Sequence, residues 1–586
     1  MKIRPLLIIS FLLTAIHYIL QQPRYFWWPL LGWAVNFIFV GGILYFQRFK
    51  KIKYLSTLLF ILTFIQLVYF FHYRSFIPLT AYEFILNEPR MLEEVFLMAK
   101  AQYFIAPAIL LFFFIQKLMN TFCESDQFDK KKVIPTFSLV SLLIGLTYFA
   151  QPLERLGALP FTSNYIAQTI AHPLFPYKKN SLKINSNLPT VQKKIKNQDL
   201  NILIIISDAL RMDALSASQT PEVVVDKKLQ SFYKNSFVFN FTVSPSNMTD
   251  SSIPSFITSK STHRNFQSFN QSNRLWDFFE GSKTFYLSTA DIQFSSLDES
   301  IKTRNLDLID DLENVQKKLP LINILKDGDQ LFYKDVKKQF KTPFVGVWHM
   351  DGTHSYLYPP NTPLPDNLKN YPDGKKKNYF HSISQMSDTL SMILSKSLLS
   401  NTIVIFTSDH GEGFGEHGAH FHFKDFHQES VKVPLIIYLP EKLKNNIGQK
   451  KLRCLNENTN RISSTIDVIP TLLGILNYSG KNSFDGRDLT KCTSKKRIVG
   501  STNCLSGYQC FNEDFMLASD DYYAIFSKKN GLIGIYDTWN DLEQRAPIKT
   551  PHKKKWPQFK TMAINYLQIL NRQDLADIVE DQLLLR

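Results

Sequence analysis

The sequence predicts two fold classes in series: an α-helical membrane domain of five transmembrane helices, then an α/β domain with a mostly parallel sheet. Three observations predict this. Five charge-free stretches crowd the first 150 residues. The remainder alternates short β-branched runs with helical patterns. Carboxylates and histidines stand directly after those runs, where an open parallel sheet places its chemistry.

The five stretches are Pro5–Gln22, Tyr25–Gln47, Tyr54–Phe71, Ala101–Gln116 and Val133–Ala150. A crossing needs roughly 20 apolar residues, or about 17 at the lower end. Ala101–Gln116 is short, but Lys100 and Lys117 flank it and can snorkel to the two surfaces. Five such runs in succession are a poor match to buried helices of a soluble protein. The first lacks a small-residue cleavage site and is followed by four more, so it reads as a span rather than a signal peptide. Basic residues set the orientation. Lys2 and Arg4 precede the first span, Arg48, Lys50, Lys51 and Lys53 fill the second loop, and Lys117 and Lys130–Lys132 the fourth. The amino terminus is therefore expected inside, and everything after Ala150 outside.

At 586 residues the chain exceeds one compact domain. It divides into a membrane domain (1–150), a polar juxtamembrane connector (151–198), an extracytoplasmic domain (199–545) and a helical tail (546–586). With 67 Lys+Arg against 51 Asp+Glu the formal charge is +16. That balance suits a domain held against anionic headgroups. No nucleic-acid-binding module is recognisable, so nucleic acid is not an expected partner, and no protein partner is named by the sequence. Cys123 falls in a loop expected to be cytoplasmic, whereas Cys454, Cys492, Cys504 and Cys510 fall in the exported part, where disulfides persist. Four cysteines allow three pairings; closing the shortest local loop favours Cys504–Cys510 with Cys454–Cys492, and free buried thiols are the alternative.

In the soluble half, Asn201–Ser207, Pro343–Trp348, Thr402–Thr407 and Pro434–Tyr438 read as buried parallel strands, with a helix over Phe380–Leu399 among the patterns between them. After the first comes Ser207-Asp208-Ala209-Leu210-Arg211-Met212-Asp213, and further on Ser246-Asn247-Met248-Thr249-Asp250-Ser251-Ser252-Ile253-Pro254-Ser255. His349-Met350-Asp351-Gly352-Thr353-His354 follows the second, and Ser408-Asp409-His410-Gly411-Glu412 opens a histidine-rich stretch after the third. Carboxylates and imidazoles at strand ends suit a divalent cation of intermediate hardness.

These blocks resemble the sulfatase and phosphoethanolamine-transferase branch of the alkaline-phosphatase superfamily. The resemblance runs from about Asn201 to Leu542 and is carried by DALRMDAL, SDHGEGFGEHG, QESVKVPLII, SSTIDVIPTLLGILN and GIYDTWNDLEQ, in order. The five-span plan is also similar to that of lipoteichoic-acid synthases and of inner-membrane sulfatase-like lipopolysaccharide regulators of the YejM/PbgA type. What the resemblance implies is an alkaline-phosphatase-like fold on the outer face of a bacterial inner membrane, with a phospholipid or glycolipid as substrate. It implies Asp208, Thr249, Asp409 and His410 as metal ligands, Thr249 as nucleophile, and His354 and His422 as ligands of substrate phosphate or of a second metal. Zinc suits the transferase resemblance, and manganese or magnesium the synthase one.

Plainer roles compete for each residue. Asp208 would suit a helix cap, Asp409-His410 a structural turn, Arg211 a salt bridge and Asp213 helix support; His349 and His427 suit packing or support of the ligands, and His420 competes with His422. Three functions follow: phosphoryl transfer or hydrolysis through Thr249, a non-catalytic lipid- or lipopolysaccharide-sensing role, and sulfate-ester hydrolysis. The last would use Ser252 in a Cys/Ser-x-Pro-Ser-Arg pattern, but Phe256 stands where arginine is required.

Overall fold

The computed structural model describes residues 188, 190, 191, 193–196 and 200–581, apart from 266, 291, 293–296, 311–320, 341–342, 355, 357–358, 373, 423–424, 504–513 and 529. The five predicted spans, most of the connector and the Cys504–Cys510 pair lie outside the described residues. Among those that are described, no helix is long and apolar enough to cross a membrane.

A seven-stranded sheet forms the centre. Its strands in chain order are β1 (Asn201–Ser207), β2 (Phe237–Val238), β3 (Lys283–Ser288), β4 (Leu308–Asp310), β5 (Phe344–Met350), β6 (Thr402–Thr407) and β7 (Leu435–Tyr438). In space they run β2-β7-β6-β1-β5-β3-β4. β1 is parallel to both β5 and β6, and β3 is parallel to β5 and β4. Only β7 runs the other way, antiparallel to both of its neighbours, β6 and β2. The expectation of a fourth parallel strand over Pro434–Tyr438 is thus corrected: Leu435–Tyr438 is antiparallel to β6. A strand buried on both faces reads as a continuous apolar run whichever direction it takes.

The period of two along each strand divides the core cleanly. Leu203 and Ile205 face one side with Trp348, Val404 and Phe406, against Tyr379, Phe380, Ile383, Met386 and Leu390. Those five lie on helix Lys375–Ile393, so the helix expected over Phe380–Leu399 starts and ends earlier. A separate turn, Lys396–Leu399, follows; the Ser395 side chain caps it by accepting from Leu398 N. Ile202, Ile204 and Ile206 face the other side with Val345, Val347, Ile403 and Ile405. There they meet Ile253, Phe256 and Ile257 of helix α1 (Thr249–Thr258). Burying one such side chain contributes about 1.5–3 kcal/mol, so both layers press on β1 and fix where it ends.

Val499–Thr502, Asp514–Ala518, Tyr522–Ser527 and Gly531–Asp537 form a second, four-stranded antiparallel sheet. The stretch expected to be a helical tail forms Lys555–Ile569 and Gln573–Asp581. Phe559, Ala563, Leu567, Leu575 and Val579 of these helices pack on Phe515, Leu517, Ala524 and Phe526 of that sheet. Its opposite face, with Tyr523, Ile525 and Tyr536, packs on Phe241, Phe426 and Val431. Cys454 and Cys492, 38 residues apart, are joined by a disulfide.

Candidate active site

β1, β5 and β6 end side by side, with Ile206 paired to both His349 and Thr407. Asp208 and the Asp409–His410 pair therefore leave the sheet at the same edge. Asp208 N donates to Met350 O at 2.8 Å, and the chain then turns through Ala209 at φ 58°. A left-handed alanine costs roughly 1–2 kcal/mol. The turn is held by Ala209 N donating to Asp409 Oδ1 at 3.1 Å and Leu210 N to Ser408 Oγ at 2.9 Å. The side chains that point at each other thus brace the backbones that carry them. Asp208 does not cap a helix; the next turn, Met212–Ala214, begins after Arg211.

Thr249 opens α1 and faces this edge. Its Oγ1 lies 3.0 Å from His410 Nε2 and 3.5 Å from Asp208 Oδ2. His410 Nε2 is also 3.4 Å from Asp409 Oδ2 and 3.6 Å from Asp208 Oδ1. His410 Nδ1 is 2.9 Å from Gly411 O, a carbonyl that can only accept. The proton therefore sits on Nδ1, and Nε2 presents a lone pair. Gly411 is required because a Cβ there would lie 2.0 Å from Glu429 O.

His349, expected to pack or support the ligands, joins this group: its Nε2 stands 3.2 Å from Asp208 Oδ2. Asp208, His349 and Asp409 place ligand atoms within 4.8 Å of one another. Asp208 Oδ1, Asp409 Oδ2 and His349 Nδ1 are buried without a hydrogen-bond partner. Burying carboxylate oxygens in that way costs several kcal/mol unless a positive charge meets them. The residues therefore fit a divalent cation of the N/O-liganded class. Burial pushes the Asp208 carboxyl up, but the His354, His349 and His410 imidazoles outweigh it and hold the group well below the carboxylate range. Burial lowers the pKa of His410.

His354 and His422 complete the rim. The His422 ring stacks on His410 with centroids 4.1 Å apart and lies 5.5 Å from the His354 ring. Its Nδ1 is 3.3 Å from the buried Glu412 carboxylate. His354 is 44% exposed; burial opposes its charge, yet Asp208, Asp351 and Glu412 raise its pKa to about 9. His420 is exposed and is not brought into this cluster by any of these contacts.

Arg211 forms the salt bridge expected of it, and forms it twice. Its buried guanidinium donates to both oxygens of Asp213 at 2.8 and 2.5 Å, to Glu416 at 2.5 Å and to Glu412 O at 3.2 Å. It thereby ties the turn after β1 to the loop after β6. Asp213 serves that pair rather than a helix. Tyr379 adds a second tie, accepting from Arg211 N and donating to Ala209 O, both at 2.9 Å.

Residues 200–478 match the family model described as Sulfatase. A 130-residue segment is 28% identical to iduronate 2-sulfatase of Mus musculus, covering 21% of this chain and 23% of that protein. Another, of 118 residues, is 30% identical to an ulvan-active sulfatase of Formosa agariphila, covering 19% and 21% respectively. The chain thus spans less than a quarter of the length of these two curated relatives. Among solved structures, the C-terminal periplasmic domain of EcEptC from Escherichia coli is 15% identical, with 54% of this chain and 93% of that one covered at a TM-score of 0.44. The matched segment holds β1, α1, β5 and β6 and every residue of the cluster, so the similarity to the Sulfatase family falls on the part of the chain that builds this site.

Proposed function

We propose that the chain is a divalent-metal-dependent phosphoryl-group transferase or hydrolase with Thr249 as its nucleophile. Its substrates are lipid headgroups or cell-envelope glycolipids at the outer face of a bacterial inner membrane. One observation carries the choice of nucleophile. Thr249 Oγ1 faces His410 and Asp208, whereas Ser252 Oγ turns to its own helix, 3.5 Å from Thr249 O. Phe256, at the position where the formylglycine pattern needs arginine, is buried in the core layer under the sheet.

Asp208, Thr249, Asp409 and His410 would hold the ion, with His349 beside them. When bound, it lowers the pKa of the threonine hydroxyl and neutralises phosphoryl oxygens. Thr249 Oγ1 bonds to phosphorus as the bond from phosphorus to the lipid alcohol breaks. His354, open to solvent at the rim, would hold the substrate phosphate and supply a proton to the departing oxygen. Water or an acceptor hydroxyl then takes the phosphoryl group and restores the Thr249 hydroxyl. The amino-terminal end of α1 favours the negative charge throughout. The lipid substrate is supported by the five predicted spans and the net charge of +16.

Lipid profiles of a deletion strain, a wild-type strain and a Thr249→Ala strain test this reading. The Thr249→Ala profile is expected to match the deletion. A match to wild type would transfer the support to a non-catalytic, sensing role.

A further inference from the structure

A second cluster lies outside the site just described. His417 and Glu429 meet with Nδ1 and Oε1 2.7 Å apart, and His427 stacks on His417 with ring centroids 3.9 Å apart and planes at 3°. Asp425 Oδ2 stands 3.7 Å from His427 Nδ1. One ligand atom each from His417, His427 and Glu429 falls within 4.8 Å of the others. Glu429 is almost fully buried, at 1% side-chain exposure.

We propose that His417, His427, Glu429 and Asp425 form a second divalent-cation site, of the zinc class, separate from the Asp208–His410 cluster. The proton positions lead to it. His417 Nε2 lies 3.1 Å from Gln544 O, an acceptor only, so that nitrogen carries the proton. On a neutral ring Nδ1 is then a lone pair, yet it faces a carboxylate oxygen at 2.7 Å. Two acceptors that close require a second ring proton or a cation. A proton would satisfy that one contact and leave the rest unexplained. Glu429 Oε2, His427 Nδ1 and Asp425 Oδ2 are all buried without a hydrogen-bond partner. A cation takes up all of them, and two imidazoles with two carboxylates are a donor set that zinc favours.

The surroundings match a metal centre too. Ligating histidines usually anchor their second nitrogen on an outer partner. Here His417 Nε2 meets Gln544 O, and His427 Nε2 lies 3.3 Å from Tyr536 Oη. Both partners come from the carboxyl-terminal part of the chain, so the ion would fasten the loop after β6 to it. The same loop also touches the nucleophile segment: Asn247 Nδ2 donates to Asp425 O at 2.7 Å, and Gly411 N to Ser430 O at 2.9 Å. The role is structural, since none of the four residues reaches the Thr249 cluster in the contacts above.

The test uses the full-length protein in detergent, loaded with zinc, desalted and assayed for zinc per chain by elemental mass spectrometry. Asp409→Ala disables the first cluster and isolates the second. That variant is expected to retain one zinc, and His427→Gln or Asp425→Asn added to it should remove the remaining ion. Cobalt in place of zinc in Asp409→Ala should give visible d–d absorption, which requires no further substitution and so does not depend on a variant that folds poorly. An Asp409→Ala protein without zinc or cobalt bands, or one whose zinc survives both added substitutions, would overturn the second site. Neither result bears on Thr249 as nucleophile.

Discussion

Replacing Arg211 by methionine keeps the buried stem and removes the fork. The guanidinium is 5% exposed, while Asp213 and Glu416 retain 21% and 26%. Removing one partner of a fully buried pair costs about 3–5 kcal/mol. Both carboxylates keep some water here, so the cost falls to about 2–3 kcal/mol, with the unpaired Glu412 carbonyl contributing part of it. At about 2 °C per kcal/mol for a domain of this size, the melting temperature drops by roughly 4–6 °C. The fork also spans the two loops that carry Asp208 and Asp409–His410, so metal affinity should fall with stability. Second-sphere losses of this kind run about 10–100-fold. Differential scanning fluorimetry in detergent and zinc competition with a chromogenic chelator measure the two effects. Arg211→Lys should recover only part of either, because an ammonium cannot donate in parallel to Asp213 and also reach Glu416. An Arg211→Met protein that melts within a degree of wild type and holds zinc equally well would refute this account of the network.

Asp409→Ala or His410→Ala is expected to remove ion from the first cluster and cut turnover at least on the order of a hundredfold, with the circular dichroism spectrum unchanged. Loss of the spectrum with full metal content would make both residues structural. Asp329 gives a pH signature: it is buried, accepts from Gly352 N at 3.0 Å and from Thr289, and its pKa rises from 3.8 to about 6 because burial outweighs those bonds. The folded state then holds a proton that the unfolded state has lost between these values, so its stabilising effect is full below 3.8 and disappears as pH rises through about 6. The difference amounts to about 3 kcal/mol, and Asp329→Asn should flatten the dependence of melting temperature on pH over that window.

Much of the central sheet was legible because its chemistry is local. NILIIIS and TIVIFT are short β-branched runs bounded by polar residues, and the strands at Asn201–Ser207 and Thr402–Thr407 follow those bounds. Strand direction was not legible over Leu435–Tyr438, since burial on both faces erases the alternation that register and exposure leave behind. Asp208, Asp409 and His410 stand directly after apolar runs and meet at one sheet edge, whereas Thr249, singled out only by the family resemblance, reaches them from the start of α1. His349 was passed over because its neighbours Val345 and Val347 make it look like one more core position. Only the register with β1 places it beside Asp208, and register is a property of pairing between distant segments. The partners of Arg211 posed the same difficulty, with Glu416 lying 205 residues away. The second histidine cluster depends on stacking across ten residues of loop and on Tyr536 and Gln544, none of which a periodicity can predict.

The central claim is that Thr249, and not Ser252, is the nucleophile. Peptide mass spectrometry of protein quenched during turnover of a phosphatidylethanolamine-containing vesicle tests it most directly. The account predicts a phosphoryl or phospho-ester adduct on Thr249, absent in Thr249→Ala and still formed in Ser252→Ala, with residue 252 an unmodified serine throughout. Formylglycine at residue 252, or an adduct that persists in Thr249→Ala, would contradict it.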